Sequence, residues 1–215
     1  MKNENNPKEE KQKMFRRILL IAFALSGMSS LIYEVVWARQ LQVVFGSTVY
    51  TSSTILASFL AGFALGSFLL RNKADTAKNP AGIFALLMLG AGIFGLISPL
   101  LFKGLLALQI LIPLSGISSL INFLLCFAAI LIPAALLGAV WPVAMKAYAS
   151  SSDAGKDVGI AYAFNSFGSM LGALLAGFAL IPMLGLRSSS WFGALLNLLA
   201  ALMLYIITRK RGDIN

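Results

Sequence analysis

Long apolar runs, each about as long as a membrane is thick, constrain the fold of this chain more than any other feature of its sequence. They recur along the 215 residues with charged clusters between them. Several reach the ~20 residues that an α-helix needs to cross a hydrocarbon core of ~30 Å. Charged residues make up 12% of the chain, against about a quarter in soluble domains. This pattern predicts an all-α, polytopic membrane helix bundle without a soluble domain.

The runs predict six transmembrane helices in one domain, residues 17–208. The apolar part of residues 103–116 is too short to span a membrane and ends at Pro113. We therefore interpret these residues as an interfacial or re-entrant piece. Merging that piece with its neighbours leaves a seven-helix alternative open. The six predicted spans are 17–38, 49–70, 82–102, 119–145, 159–182 and 189–208.

The distribution of Lys and Arg gives an orientation to the six spans. Alternate segments carry fourteen of these residues and the segments between them carry three, a positive-inside bias that predicts both termini in the cytoplasm of a bacterial-type inner membrane. We expect residues 1–16 to be a disordered basic tail and 209–215 a cytoplasmic tail. The net charge of +9 then indicates contact with the anionic lipid bilayer, and no nucleic acid is expected as a partner.

A repeated hexapeptide indicates internal symmetry. "LAGFAL" occurs at residues 60–65 and again at 175–180. Because these positions fall in spans of opposite direction, they predict a 3+3 inverted repeat of the kind found in transporters, although chance repetition of common residues is the alternative. Two GxxxG motifs predict close helix packing, within the chain or between chains. Their glycines are Gly62, Gly66, Gly168 and Gly172.

Glu34 is the one acidic residue within a predicted span. It shares a helix face with Gly27, Ser30 and Ala38, a stripe of small and polar residues that should face the bundle. Arg39 lies about 140° around the helix and cannot pair with it. Two interpretations stay open: Glu34 is a hydrogen-bonded structural anchor beside an outer aromatic belt that includes Trp37, or it binds a proton or cation.

A second small-polar stripe lies in the fifth span, where Asn165 and Ser169 precede Gly172 at helical spacing. Two roles stay open for the Asn165 amide: holding another helix or contacting a solute. The fourth span contains prolines, which in transporters interrupt helices at binding sites and elsewhere only kink or pack them. Candidate solute- or proton-binding residues are therefore Glu34, Ser30, Trp37, Asn165, Ser169 and Trp141, and the candidate packing prolines are Pro133 and Pro142.

The sequence contains no recognisable catalytic constellation. It has no histidine, no phosphate-binding glycine loop and no close pair of carboxylates. Its one cysteine, Cys126, excludes an intrachain disulfide and makes a metal cluster implausible. We therefore expect neither an enzyme nor a cofactor or metal site.

Three segments together resemble the membrane part of the fused membrane and spermidine-synthase-like proteins. They are "GMSSLIYEVVWARQLQVVFGSTVYTSSTILASFLAGFALGS", "LLGAVWPVAM" and "GIAYAFNSFGSMLGALLAGFALIPMLGLR". The resemblance implies a fold like half of a major facilitator. Fused members continue into an aminopropyltransferase-like domain, of which these residues show no counterpart, so no catalytic or cofactor-binding residue is transferred.

These features predict a half-size, transporter-like membrane protein that forms a homodimer and moves a small, cationic, polyamine-like solute. The alternative is an anchor without transport activity. In that case the bundle would position a separate soluble aminopropyltransferase-like partner, with the loop around Asp153 and Asp157 as its contact.

Overall fold

The computed structural model describes residues 7–111, 118–149 and 153–212. Nearly all of these residues are helical, and short connections join the helices. No strand occurs among the described residues. A five-residue π-helical turn, Ala176–Leu180, separates the last two helices. The α-helices are α1 (Pro7–Phe45), α2 (Val49–Thr76), α3 (Pro80–Leu111), α4 (Ser118–Tyr148), α5 (Ala154–Leu175) and α6 (Ile181–Gly212).

Within the described residues, five helical segments are long and apolar enough to cross a membrane. Four correspond to the first four predicted spans, and the fifth, Ala154–Arg209, takes in the last two. Its 56 residues would measure about 84 Å as a straight helix, far more than a bilayer core. The helix is interrupted at Gly185, whose φ of 77° and ψ of 171° are not helical. The all-α prediction is confirmed, whereas six separate crossings remain a prediction.

Helix boundaries differ from the predicted spans mainly by extension. Helix α1 begins at Pro7, so residues 7–16, which we had placed in a disordered tail, continue the first helix. Helix α3 extends to Leu111, so residues 103–111 of the expected interfacial piece are a direct continuation of the third span. The rest of that piece with Pro113, the tail residues 1–6 and 213–215, and the side chain of Cys126 lie outside the described residues.

Local signals explain where several helices begin and end. Gly46, with a φ of 86°, occupies the left-handed region that favours glycine and follows the last residue of α1. The Thr48 hydroxyl accepts a hydrogen bond of 3.1 Å from the Thr51 amide and caps α2. Asn79 caps α3 in the same way, since its side-chain oxygen accepts from the Gly82 amide at 2.9 Å.

Helix α4 is continuous through both of its prolines. Pro133 and Pro142 lie inside the helix without a change to non-helical backbone angles. The interruption that we expected from these prolines is therefore absent, and the interrupted segment is instead the one that contains Gly185. Pro133 is buried, as expected for a packing residue, and Pro142 is partly buried.

The helices pack in specific pairs. Helix α2 lies along α4, α5 lies along α1, and α3 lies along α6, while α6 also contacts α1 and α3 contacts α4. Two clusters of buried apolar side chains fill the spaces between them. The outward faces carry exposed leucines and phenylalanines, as expected for helices that face lipid.

The GxxxG glycines account for the closest of these approaches. A Cβ on Gly62 or Gly66 would overlap α4 at Leu131 and Ala135, because the two backbones are nearly in contact. In the same way, a Cβ on Gly168 or Gly172 would overlap the backbone of α1 at two carbonyl oxygens, those of Ala24 and Met28. The four glycines therefore serve packing within the chain.

Candidate functional site

A cavity of about 150 Å³ lies where α1, α2, α4 and α5 converge. It reaches the surface of the bundle, because Leu60, which borders it, is 60% exposed. Helix α1 contributes Phe23, Ser26, Gly27, Ser30, Leu31 and Glu34; the other helices contribute Phe59, Leu60, Phe63, Leu137, Val140, Trp141, Asn165 and Ser169.

The structure brings five of the six candidate solute-binding residues together in this cavity. Ser30 and Glu34 come from α1, Trp141 from α4, and Asn165 and Ser169 from α5. They come from three helices. Those on α1 and α5 were selected from polarity and helical spacing, and Trp141 was selected because it precedes Pro142 in the fourth span. That they bind a solute remains a prediction.

Helix spacing explains why the two polar stripes meet. Gly27 on α1 packs directly against α5, where a Cβ would come within 2.9 Å of the side-chain nitrogen of Asn165 and 2.8 Å of the Ser169 hydroxyl. The Asn165 amide donates a hydrogen bond of 3.0 Å to the carbonyl oxygen of Phe23. Asn165 therefore both holds α5 to α1, as one interpretation proposed, and lines the cavity.

Ser30 and Glu34 supply polar groups that the protein does not pair. The Ser30 hydroxyl is 5% exposed and has no hydrogen-bond partner among the described residues. Glu34 is half-buried and forms no salt bridge with a basic side chain in that part of the chain. A buried polar group without a partner costs about 1–3 kcal/mol, so the Ser30 hydroxyl does not contribute to stability as a hydrogen-bonded group would.

An aromatic wall faces these polar groups. The Trp141 ring packs edge-on against Phe23, with centroids 5.0 Å apart, and lies 5.9 Å from the ring of Tyr162. Phe59 and Phe63 on α2 stack at 5.1 Å. The cavity therefore offers hydrogen-bonding groups and a carboxyl group on one side, and aromatic surface able to hold an apolar group or a cation on the other.

Trp37 does not belong to the cavity. It lies on the adjacent face of α1, toward α3, where it is 1% exposed, and its indole nitrogen donates a hydrogen bond of 3.1 Å to the Ser98 hydroxyl on α3. Tyr33, one turn earlier, is fully buried and stacks on Trp37 with centroids 4.6 Å apart. The outer aromatic belt that one interpretation assigned to Trp37 was therefore wrong, because this ring and that of Tyr33 are buried among the helices.

Around these rings is a buried polar network that our sequence analysis missed. Asn197 on α6 accepts a hydrogen bond of 2.5 Å from Ser29 and donates one of 3.2 Å to the Tyr33 hydroxyl, which in turn donates to the Ala91 carbonyl oxygen at 3.3 Å. The isolated polar residue Asn197 within the apolar run 189–208 was the available signal.

The same network continues through a pair of serines. The hydroxyls of Ser98 and Ser190 lie 2.8 Å apart, and both donate to the carbonyl oxygen of Gly95, at 3.1 and 2.9 Å. A serine within a helix can bond its own backbone, so its sequence position does not reveal a partner on another helix. This is why the pattern alone did not identify the α1–α3–α6 interface.

An ion pair joins α1 and α5 at the end of the bundle where both helices begin. The Arg16 guanidinium donates to the Asp157 carboxylate, and it lies over the Tyr148 ring of α4 at 4.6 Å from the centroid. The Asp157 side chain is 5% exposed. Asp157 is therefore committed to holding helices together and is not presented to a partner protein, contrary to one expectation from the sequence.

Groups of three or more His, Cys, Asp or Glu residues able to hold a metal ion do not occur among the described residues. The cavity likewise contains one carboxyl group, that of Glu34, within its described lining.

Comparison with known proteins gives one relationship. The sequence is 26% identical over 198 residues to a polyamine aminopropyltransferase of Corynebacterium efficiens. The match takes in 90% of this chain and 36% of that protein, so the chain spans about a third of the length of its relative. No family model and no solved structure matches the chain. The match supports a spermidine-synthase-like relation, while the fused membrane architecture stays an expectation from the motif resemblance.

Proposed function

We propose that this protein is a transporter-like membrane protein that binds a small cationic solute in the cavity between α1, α2, α4 and α5. The observation that carries the proposal is the unpaired carboxyl group of Glu34 beside the unpaired, 5% exposed hydroxyl of Ser30. A carboxyl group at membrane depth is costly, and such residues commonly mark solute or ion pathways.

Six crossings fit the interrupted fifth segment. Gly185 divides residues 154–209 into two parts, each long enough to cross a ~30 Å core, and the turn there would place Arg187 beside the outer interface. The Arg187 guanidinium lies over the Trp191 ring at 4.4 Å, an arrangement typical of the lipid headgroup region. Together with the positive-inside distribution, this supports the proposal that both termini lie in the cytoplasm of a bacterial-type inner membrane.

The proposed inverted repeat is supported by glycine packing. Gly62 and Gly66 contact α4 at Leu131 and Ala135, just as the later GxxxG pair contacts α1. The two glycine pairs are separated by 106 residues (168 minus 62, and 172 minus 66). Their contact residues are separated by 107 (131 minus 24, and 135 minus 28). Exchanging α1–α3 for α4–α6 thus converts the glycine contact between α2 and α4 into the glycine contact between α5 and α1.

This register replaces the one read from "LAGFAL". Pairing the two hexapeptides would equate Gly62 with Gly177, but Gly62 packs against α4 whereas a Cβ on Gly177 would meet nothing within 4 Å. The packed helix pairs follow the same exchange: α2–α4 becomes α5–α1, and α1–α6 becomes α4–α3. A repeat built this way is the architecture of half of a major facilitator.

A homodimer would complete a transport path. The cavity is open at the surface beside Leu60, and a half-size unit leaves that side uncovered. In the two-fold arrangement that is commonest among homo-oligomers, two copies would bring their cavities toward each other. Amines of the polyamine type are the first solutes to test, since the family resemblance suggests them by analogy alone.

Solute binding and transport are tested on purified protein. We expect a thermal-stability screen to show stabilisation by small amines, and we expect proteoliposomes to accumulate labelled 1,4-diaminobutane or tetramethylammonium. Glu34→Gln should abolish both effects, whereas Asp75→Asn, which removes an exposed carboxylate at the end of α2, should abolish neither. A strictly monomeric protein with no uptake and no stabilisation would overturn the proposal.

A second candidate function is favoured by the relationship to a polyamine aminopropyltransferase. Here the bundle anchors a separate soluble aminopropyltransferase-like partner and moves no solute. The connection before α5 would offer the exposed residues Asp153 and Lys156 as the contact. Asp157 is excluded from that role by its ion pair with Arg16.

Co-purification separates the two functions. The anchor hypothesis predicts that a soluble aminopropyltransferase from the same cells co-purifies with the protein, and that reversing both exposed charges, Asp153→Lys with Lys156→Asp, releases it. Glu34→Gln should leave that complex intact. Retention of the enzyme by the charge-reversed protein would contradict this hypothesis.

A further inference from the structure

The cavity lies across the proposed symmetry axis, and its two halves differ in chemistry. In the 107-residue register of α1 and α4, Glu34 corresponds to Trp141 and Ser30 to Leu137, and all four residues line the cavity. One repeat therefore contributes a carboxyl group and a hydroxyl where the other contributes an indole ring and an isobutyl group.

The same division holds for α2 and α5. In the 106-residue register, Phe59 corresponds to Asn165 and Phe63 to Ser169, and these four residues also line the cavity. The polar members come from α5 and the aromatic members from α2. At these equivalent positions the polar side chains come from α1 and α5, and we call them the polar half of the cavity. The apolar side chains come from α2 and α4; together with Phe23 of α1, which packs on Trp141, we call them the aromatic half.

Size limits what this cavity can hold. Its volume is about 150 Å³. An engineered apolar cavity of ~150 Å³ binds benzene, and drug-sized ligands need ~300 Å³ or more. A solute that fits within this cavity therefore has about six non-hydrogen atoms.

The charge of the lining further limits which solutes the cavity can hold. Glu34 contributes the one carboxyl group of the described lining, and the aromatic half offers no hydrogen-bonding oxygen that would solvate a second ammonium group except the backbone. An ion buried against apolar surface without a partner is strongly disfavoured. A solute charged at both ends would thus give its second charge only aromatic faces as partners, which compensate for lost water less well than a carboxyl group does, whereas a solute with one ammonium group and an apolar body matches both halves.

We propose that the cavity selects a compact organic monocation, an ammonium group joined to an apolar body of about five carbon atoms, in preference to a diamine of the same size. The ammonium group lies against Glu34, Ser30 and Asn165. The apolar body lies against Trp141, Phe59 and Phe63. This inference rests on the proposed function, since it names the solute class of the same site.

Three probes of equal size test the proposal: pentylamine, 1,4-diaminobutane and 1-pentanol. Binding is measured at neutral pH by calorimetry on protein in lipid nanodiscs, with empty nanodiscs as the blank for partition into lipid. We expect pentylamine to bind about tenfold more tightly than either of the others, because 1,4-diaminobutane leaves a charge unpaired and 1-pentanol leaves Glu34 unpaired.

Variants then test which half of the cavity holds which end of pentylamine. Trp141→Leu should weaken pentylamine by about five- to thirtyfold through lost aromatic contact, while Trp191→Leu, a tryptophan outside the cavity, should leave its affinity unchanged. Filling the apolar half offers a second approach: Leu137→Phe should exclude pentylamine while the protein keeps its unfolding temperature within a few degrees.

The outcomes separate this inference from the proposed function. Binding of 1,4-diaminobutane at least as tight as that of pentylamine, abolished by Glu34→Gln, would overturn the monocation proposal and leave a cationic site in place. Tighter binding of 1-pentanol than of pentylamine would also overturn it. Absence of binding by all three probes would overturn both.

Discussion

The two faces of α1 bury polar groups in opposite ways. On the face toward α3 and α6, Ser29 and Tyr33 take part in a network in which each hydroxyl has a partner. On the face toward α2, α4 and α5, the Ser30 hydroxyl has no partner among the described residues and the Glu34 carboxyl group has no salt bridge. Because a buried polar group without a partner costs free energy, the first face stabilises the fold, and the second is the one that we propose for binding.

The largest difference between the faces is expected for their tryptophans. Trp37→Ala removes a 1% exposed ring and its hydrogen bond to Ser98, and should lower the free energy of unfolding by about 3–5 kcal/mol. Trp141→Ala should cost less than half as much, because that ring borders a cavity and is partly exposed. Denaturant titration in mixed micelles measures both, and a larger loss for Trp141→Ala would reverse the comparison.

A smaller difference is expected for the two asparagines. Asn197→Ala removes the partner of Ser29 and Tyr33 together, and should cost about 1–2 kcal/mol of unfolding free energy. Asn165→Ala removes one hydrogen bond to the Phe23 carbonyl oxygen and should cost about 0.6 kcal/mol. The same denaturant titration in mixed micelles measures the unfolding free energy of both variants. Equal losses would mean that the cavity face contributes as much to stability as the network.

The smallest difference is expected for two neighbouring serines. Ser29→Ala should lower the unfolding free energy by about 0.6 kcal/mol, since it leaves Asn197 without a donor. Ser30→Ala should leave stability unchanged or raise it, because it removes an unpaired hydroxyl. The unfolding midpoints of the two alanine variants measure this contrast, which fails if Ser30→Ala is the more destabilising.

Sequence reasoning predicted the cavity face better than the network face, for a physical reason. Small and polar residues at helical spacing form a stripe that must face other helices, so Gly27, Ser30 and Glu34 could be assigned to the bundle interior from α1 alone. The stripe on α5 followed from the same rule. Which helices contact each other depends on side chains from different parts of the chain, and the pattern within one helix does not reveal those contacts.

Trp37 is a residue whose position this reasoning did not predict. A tryptophan near the end of an apolar run is common in the interfacial belt of membrane helices, so the belt was a reasonable expectation. Its actual position depends on Ser98 and Ser190, two serines far away in the sequence. The break at Gly185 falls in the gap between the predicted spans 159–182 and 189–208, but the sequence did not show which of its nineteen glycines takes a positive φ.

The central claim is that the two faces have separable roles, and Glu34→Gln beside Asn197→Ala tests it most directly. For each variant in nanodiscs, one sample gives the unfolding temperature and the affinity for pentylamine. We predict that Glu34→Gln keeps the wild-type unfolding temperature and loses binding, while Asn197→Ala unfolds several degrees lower and, at temperatures where it is folded, binds with wild-type affinity. A Glu34→Gln protein that unfolds as early as Asn197→Ala, or that binds pentylamine as tightly as the wild type, would contradict the claim.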